Sequence, residues 1–119
     1  MGVKMSHLEA LLLSIVLETM TIQVLFAIFV REARPSIARI TLATIAATLI
    51  SHPCAWALNT IVLVDYSFWL RALIIESLVV LAETVILNEA LALKLYQGFC
   101  LSLAANTISF GVGLLLYAL

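Results

Sequence analysis

The sequence predicts an all-α integral membrane protein, one domain of four antiparallel transmembrane helices with the second kinked at Pro53. Three observations lead there. Hydrophobic residues fill 65% of the 119 positions and charged residues only 11%, less than half of the roughly 25% with which a soluble domain covers its surface. The apolar residues run in continuous blocks, each able to supply the roughly 20 residues that a bilayer crossing needs, and they lack the alternation of a membrane β-barrel. The breaks between blocks are a few residues long and carry turn and interface residues.

The first block, residues 8–30, is stopped by "REARPS", where Arg31, Glu32 and Arg34 surround a turn and Pro35 or Ser36 opens the next helix. The second, residues 37–64, is longer than one crossing requires, which puts Arg39 at the interface with its stem snorkelling. "VDYSFWLR" closes it, and Tyr66, Trp69 and Trp56 resemble the aromatic belt at headgroup level. The third block, residues 68–93, ends at "KLYQG", read as a turn through Lys94, Tyr96 and Gly98. The last covers residues 98–119. Cys54 and Cys100 are too few for a disulfide framework and read as packed thiols. "MGVKMS" matches the loose pattern for acylation at Gly2, a match taken as chance.

Arg31, Arg34, Arg39 and Lys94 fall on one side of this arrangement, Lys4 and Arg71 on the other. The positive-inside rule then puts both termini on the non-cytoplasmic side. A net charge of −1 with no basic patch speaks against a nucleic-acid partner. The lipid bilayer is the first partner, with copies of the chain or other membrane subunits beside it.

"ATLISHPCAWALNT" sets His52, Pro53 and Asn59 inside an apolar span, and the other spans repeat the anomaly. At about 1.5 Å rise per residue, Glu18, His52, Glu76, Glu83 and Asn106 all fall in the central slab of a core about 30 Å thick. Ser14, Glu18 and Thr21 share a face of the first helix by their i, i+4, i+7 spacing, and His52, Trp56 and Asn59 share one of the second. Glu76 and Glu83 are seven apart on the third, and Ser102, Asn106, Ser109 and Gly113 form a stripe on the fourth. A charge at mid-bilayer costs upward of about 2.5 kcal/mol, so the stripes are expected to face one another. Pro53 would bend its helix where a polar interior re-satisfies the carbonyl of Leu49. His7, counted along its own helix, lies about 18 Å from His52 in depth, which argues against the two ligating one haem.

Glu18, His52, Glu76 and Glu83 are therefore the expected ion- or proton-binding residues, supported by Ser14, Asn59 and Asn106. Carboxylates and an imidazole suit a divalent cation such as manganese, ferrous iron or zinc. They also relay protons, and an acid at mid-membrane can hold an organic cation. Handling of a small cation or protons by an oligomer is the expectation. The alternative is an accessory subunit that meets its partners within the lipid. With neither HExxH nor a cysteine pair at redox spacing, an enzyme is the weakest reading.

The lone acid of the first span, in "SIVLETMT", together with four spans in a chain of this length, resembles the small multidrug resistance transporters in format. That resemblance implies exchange of cationic drugs for protons by a dimer, with Glu18 as the acid. It extends to that stretch and the chain length; His52, Glu76 and Glu83 have no counterpart in it.

Overall fold

A computed structural model describes residues 5–29 and 35–118. It is all-helical, with α1 (His7–Phe29), α2 (Ile37–Ala57), α3 (Phe68–Leu91) and α4 (Leu95–Ala118), and no strand occurs among the described residues. A single π-helical turn, Leu58–Val62, prolongs α2. Three of the helical stretches, His7–Phe29, Ile37–Val62 and Leu95–Leu116, are long and apolar enough to cross a membrane. α3 is as long as α4 but carries Arg71, Glu76, Glu83 and Glu89. Arg31, Arg34 and Lys4, three of the six residues behind the orientation expected above, and Gly2 lie outside the described residues.

Local chemistry starts each helix. Ser6 and Glu9 form a capping box at α1, the Ser6 N–H donating to Glu9 Oε2 (2.8 Å) and the Glu9 N–H to Ser6 Oγ (3.2 Å). Ser36 accepts from the Arg39 N–H at α2 (3.2 Å) and Ser67 from the Leu70 N–H at α3 (3.4 Å). At α4 the Gln97 side chain accepts from the Lys94 N–H (3.0 Å). The fourth helix thus begins at Leu95, three residues before the expected boundary, and Gly98 lies inside its first turn. α3 stops because Ala92 takes the left-handed conformation (φ 53°), a place where glycine is usual. Arg39 reaches this end and donates from Nε to the Ala90 carbonyl (3.0 Å), offering a cation to the negative end of α3.

Around the bundle α1 packs on α2 and α4, and α3 on the same two. The diagonal pairs, α1 with α3 and α2 with α4, make no close backbone approach among the described residues. A square of helices leaves an interior, and its filling differs along the 45 Å axis. At the end holding the α1–α2 and α3–α4 connections, Ile22, Phe26, Ile40, Ala43, Leu87, Leu91, Leu101 and Ala105 form a dry core. Outward-facing positions such as Leu12, Leu42, Leu81 and Leu103 are exposed and apolar, as a lipid-facing surface requires.

Two expectations change here. Pro53 and Leu49 lie on the exposed outer face of α2, whereas His52 is half-buried. The proline and the imidazole therefore serve different faces, and a π turn begins five residues after the proline. Cys54 and Cys100 are exposed free thiols, not packed ones.

Gly98 is buried where α4 enters against α3, and a Cβ built on it would overlap the Asn88 side-chain amide. Gly98→Ala is expected to lower stability by about 1–3 kcal/mol, and Asn88→Ala in the same chain to restore most of it. Thermal unfolding in detergent of the two single variants and the double variant checks this coupling.

Candidate functional site

The buried residues of α1 recur at i, i+4 and i+8 as Glu18, Ile22 and Phe26, so one helical face carries both the apolar plug and, one turn along, a carboxyl. On α3, Glu83 and Leu87 repeat that pattern. α2 contributes a stripe of small and hydroxylated residues, Ala43, Thr44, Ala47, Thr48 and Ser51, all buried. α4 contributes Ser102, Ala105 and Asn106. Small side chains let these helices approach and hydrogen-bond across the interface.

The two carboxyls are braced alike from both flanking helices. Glu18 accepts from Thr48 Oγ1 of α2 (2.7 Å) and Ser109 Oγ of α4 (3.2 Å). Glu83 accepts from Ser51 Oγ of α2 (2.6 Å) and Asn106 Nδ2 of α4 (2.7 Å). The amide of Asn106 spends its second proton on the Ser102 carbonyl (2.9 Å). Thus each acid of one diagonal pair, α1 and α3, is held by a donor from each member of the other. Glu18 and Glu83 are 4% and 2% exposed, and the dry core lies directly beyond them.

Above this layer the interior opens into a cavity of about 550 Å³. Glu18, Glu83, Thr48, Ser51 and Asn106 form its floor, and Ser14, Glu76 and Ser109 line it higher up. His52, Trp56, Asn59, Phe68 and Arg71 surround the mouth, at the end of the bundle where α1 starts and α2 connects to α3. Size and lining are those of a small-molecule site: mainly apolar walls with a few converging polar groups. A second, apolar groove of about 590 Å³ runs outside, between α3 and α4, and shares Ala72, Glu76, Asn106 and Phe110 with the cavity as a common wall.

Of the residues expected from sequence, Glu18, Glu83 and Asn106 meet at the floor, with Ser14 and Glu76 on the cavity wall and Asn59 at the mouth. His52 does not join the carboxyls. Its ring stacks against His7 (centroids 5.4 Å apart, 15° between planes), and His7 stacks on Trp56 (4.7 Å, 14°). The expected 18 Å separation of the histidines fails because depth was counted from helix ends taken as level. α2 with its π turn runs on past the first turn of α1, which brings His7 beside His52 and Trp56. Nearly parallel rings side by side still cannot ligate opposite faces of one haem. Among the described residues no three of His, Cys, Asp and Glu converge as metal ligands would, so the carboxyls are paired with hydroxyls and an amide instead of a third ligand. Thr21 back-bonds to the Leu17 carbonyl (2.7 Å) and stays outside the cavity.

Three contributors were missed by sequence reasoning. Thr48 and Ser51 follow Thr44 at i+4 and i+7, the same spacing that marked the other stripes. Arg71, read as an orientation signal, lines the cavity mouth. It donates from Nη1 to the Asn59 carbonyl (3.4 Å), and its buried Nε–H has no partner among the described residues. The signal was its place one turn before Ile75 and Glu76 on the inward face. Comparison with protein-family models, characterised proteins and solved structures gives no match to this chain.

Proposed function

We propose that all four helices cross the bilayer and that the chain carries protons or a small organic cation, using the cavity floored by Glu18 and Glu83. One observation supports this above the rest: two buried carboxyls share the floor of a chamber that opens at one end and is stopped at the other by Ile22, Phe26 and Leu87. A purely structural pair would need no chamber. A carrier needs one, with ionisable groups at its inner limit and a removable plug beyond.

The crossing of α3 is supported by the direction of its polar groups. Arg71, Glu76 and Glu83 line the cavity, while Leu70, Leu73, Leu78, Leu81 and Val85 are exposed. Between Leu70 and Val85 the exposed face of α3 is thus apolar apart from Ser77, and the exposed Glu89 lies toward the end of the helix. Both acids, with all four of their donors, belong to a single chain, so the site needs no second copy to assemble. Arg39 and Lys94 flank the closed end, and the positive-inside rule would then direct the mouth away from the cytoplasm.

The test is purified protein in liposomes with a pH-sensitive dye trapped inside. Proton movement is expected for the wild type and a loss of at least tenfold in Glu18→Gln and in Glu83→Gln. Unchanged flux in both variants would end this reading.

A further inference from the structure

Resting on the cavity reading above, we infer that the occupant is a zwitterion, an amine and an acid several bonds apart, bound with its amine toward the carboxyl floor and its acid toward Arg71. The cavity is bipolar. Glu18 and Glu83 lie at its base and Glu76 on its wall, while Arg71 and His52 stand at the mouth. Between the poles the lining is apolar, with Ala55, Ile75, Val79 and Phe110.

The mouth is the part that proton or simple cation binding leaves unexplained. A guanidinium has five N–H donors and is permanently charged. Among the described residues it makes one long bond to a backbone carbonyl, and its Nε–H meets no acceptor. The Nε2 atom of His52 is buried and unpartnered as well. Placing a positive charge at the entrance would repel a bare cation. The same charge becomes an asset if the occupant carries its own anion, because Arg pairs with a carboxylate through two parallel hydrogen bonds.

Spacing narrows the class. Arg71 and Glu76 are about 7.5 Å apart along the axis of α3, and Arg71 and Glu83 about 18 Å. An α-amino acid, whose amine and carboxylate share one carbon, is too short to reach both poles. An amine and a carboxylate joined by several methylenes can span the step from Arg71 to Glu76 with the amine directed at the floor, and the apolar wall suits those methylenes. The chamber, at about 550 Å³, has room for such a chain.

Three matched probes separate the contributions: 6-aminohexanoate, hexylamine and hexanoate, each titrated against the full chain in detergent while its thermal unfolding is followed. The expected result is that 6-aminohexanoate protects at a concentration at least tenfold below either single-charge probe. Arg71→Gln should lower its potency to that of hexylamine or below, and should leave hexylamine as potent as before or more so, because the repelling charge is gone. Arg71→Lys, which keeps the charge, should retain part of the preference and guards against a variant that merely folds poorly. Equal potency of 6-aminohexanoate and hexylamine would overturn the zwitterion and leave the cation chamber standing. A preference for hexanoate, or no protection by any probe, would also overturn it. Preference for 6-aminohexanoate in a protein that moves no protons in liposomes would support the site while ending the transport reading.

Discussion

Phe26→Ala is expected to lower the stability of the bundle by about 3 kcal/mol, the low end for emptying a buried aromatic site, and to make the closed end leak. Phe26 is 0% exposed and packs with Ile22, Ile40 and Leu87, two turns along α1 from Glu18 with Ile22 between them. In lipid the loss comes from dispersion contacts that nothing replaces, since helix association there has little hydrophobic drive. Only the Ile22 and Leu87 layer would then separate the void from the polar layer of two carboxyls, three hydroxyls and an amide, a thinner barrier to water. Phe26→Leu removes less volume and should cost about 1 kcal/mol with little leak. Unfolding in mixed detergent gives the stability, and passive proton leak in liposomes gives the seal. A destabilised Phe26→Ala protein that stays as tight as wild type would show that this core is not the barrier.

The residues that could be read from sequence are those whose misplacement is expensive. Glu18, Glu83 and Asn106 had to turn inward because facing hydrocarbon costs several kcal/mol, and the structure gathers them in one layer. Thr48 and Ser51 escaped notice because a helical hydroxyl can satisfy itself on the carbonyl four residues back, as Thr44 and Thr84 do. Such residues cost little wherever they point, so their type alone says nothing of direction. Arg71 lies near a helix end, where a long side chain ordinarily snorkels to the interface; here it lines the cavity and donates to the Asn59 carbonyl instead. The α3–α4 boundary was misplaced for a local reason. Glycine is the usual residue at a left-handed helix end, so Gly98 drew the turn to itself while Ala92 adopted that conformation instead.

Glu83→Leu and Glu83→Gln are expected to part ways in stability and agree in flux. Leucine removes both acceptors, leaving the Ser51 hydroxyl and one proton of the Asn106 amide without their partners in a layer that is nearly sealed from solvent. Each orphaned donor costs about 1 kcal/mol in this setting, so about 2 kcal/mol is expected for Glu83→Leu. Asn106 keeps its bond to the Ser102 carbonyl, and Ser51 can turn back to its own helix, which holds the loss near that figure. Glutamine retains one carbonyl oxygen for the shorter of the two bonds but turns its NH2 toward the Asn106 amide, and should cost about 1 kcal/mol. Both variants lose the ionisable group, so both should lose proton movement. Removing Asn106 as well, in Glu83→Leu/Asn106→Leu, should recover stability relative to Glu83→Leu alone, because a pair replaced together leaves no buried donor behind. If Glu83→Gln were as unstable as Glu83→Leu, the carboxyl would be acting through its charge on the bundle. If it kept full flux, the carboxyl would be a helix-to-helix brace and Glu18 would have to carry the proton alone.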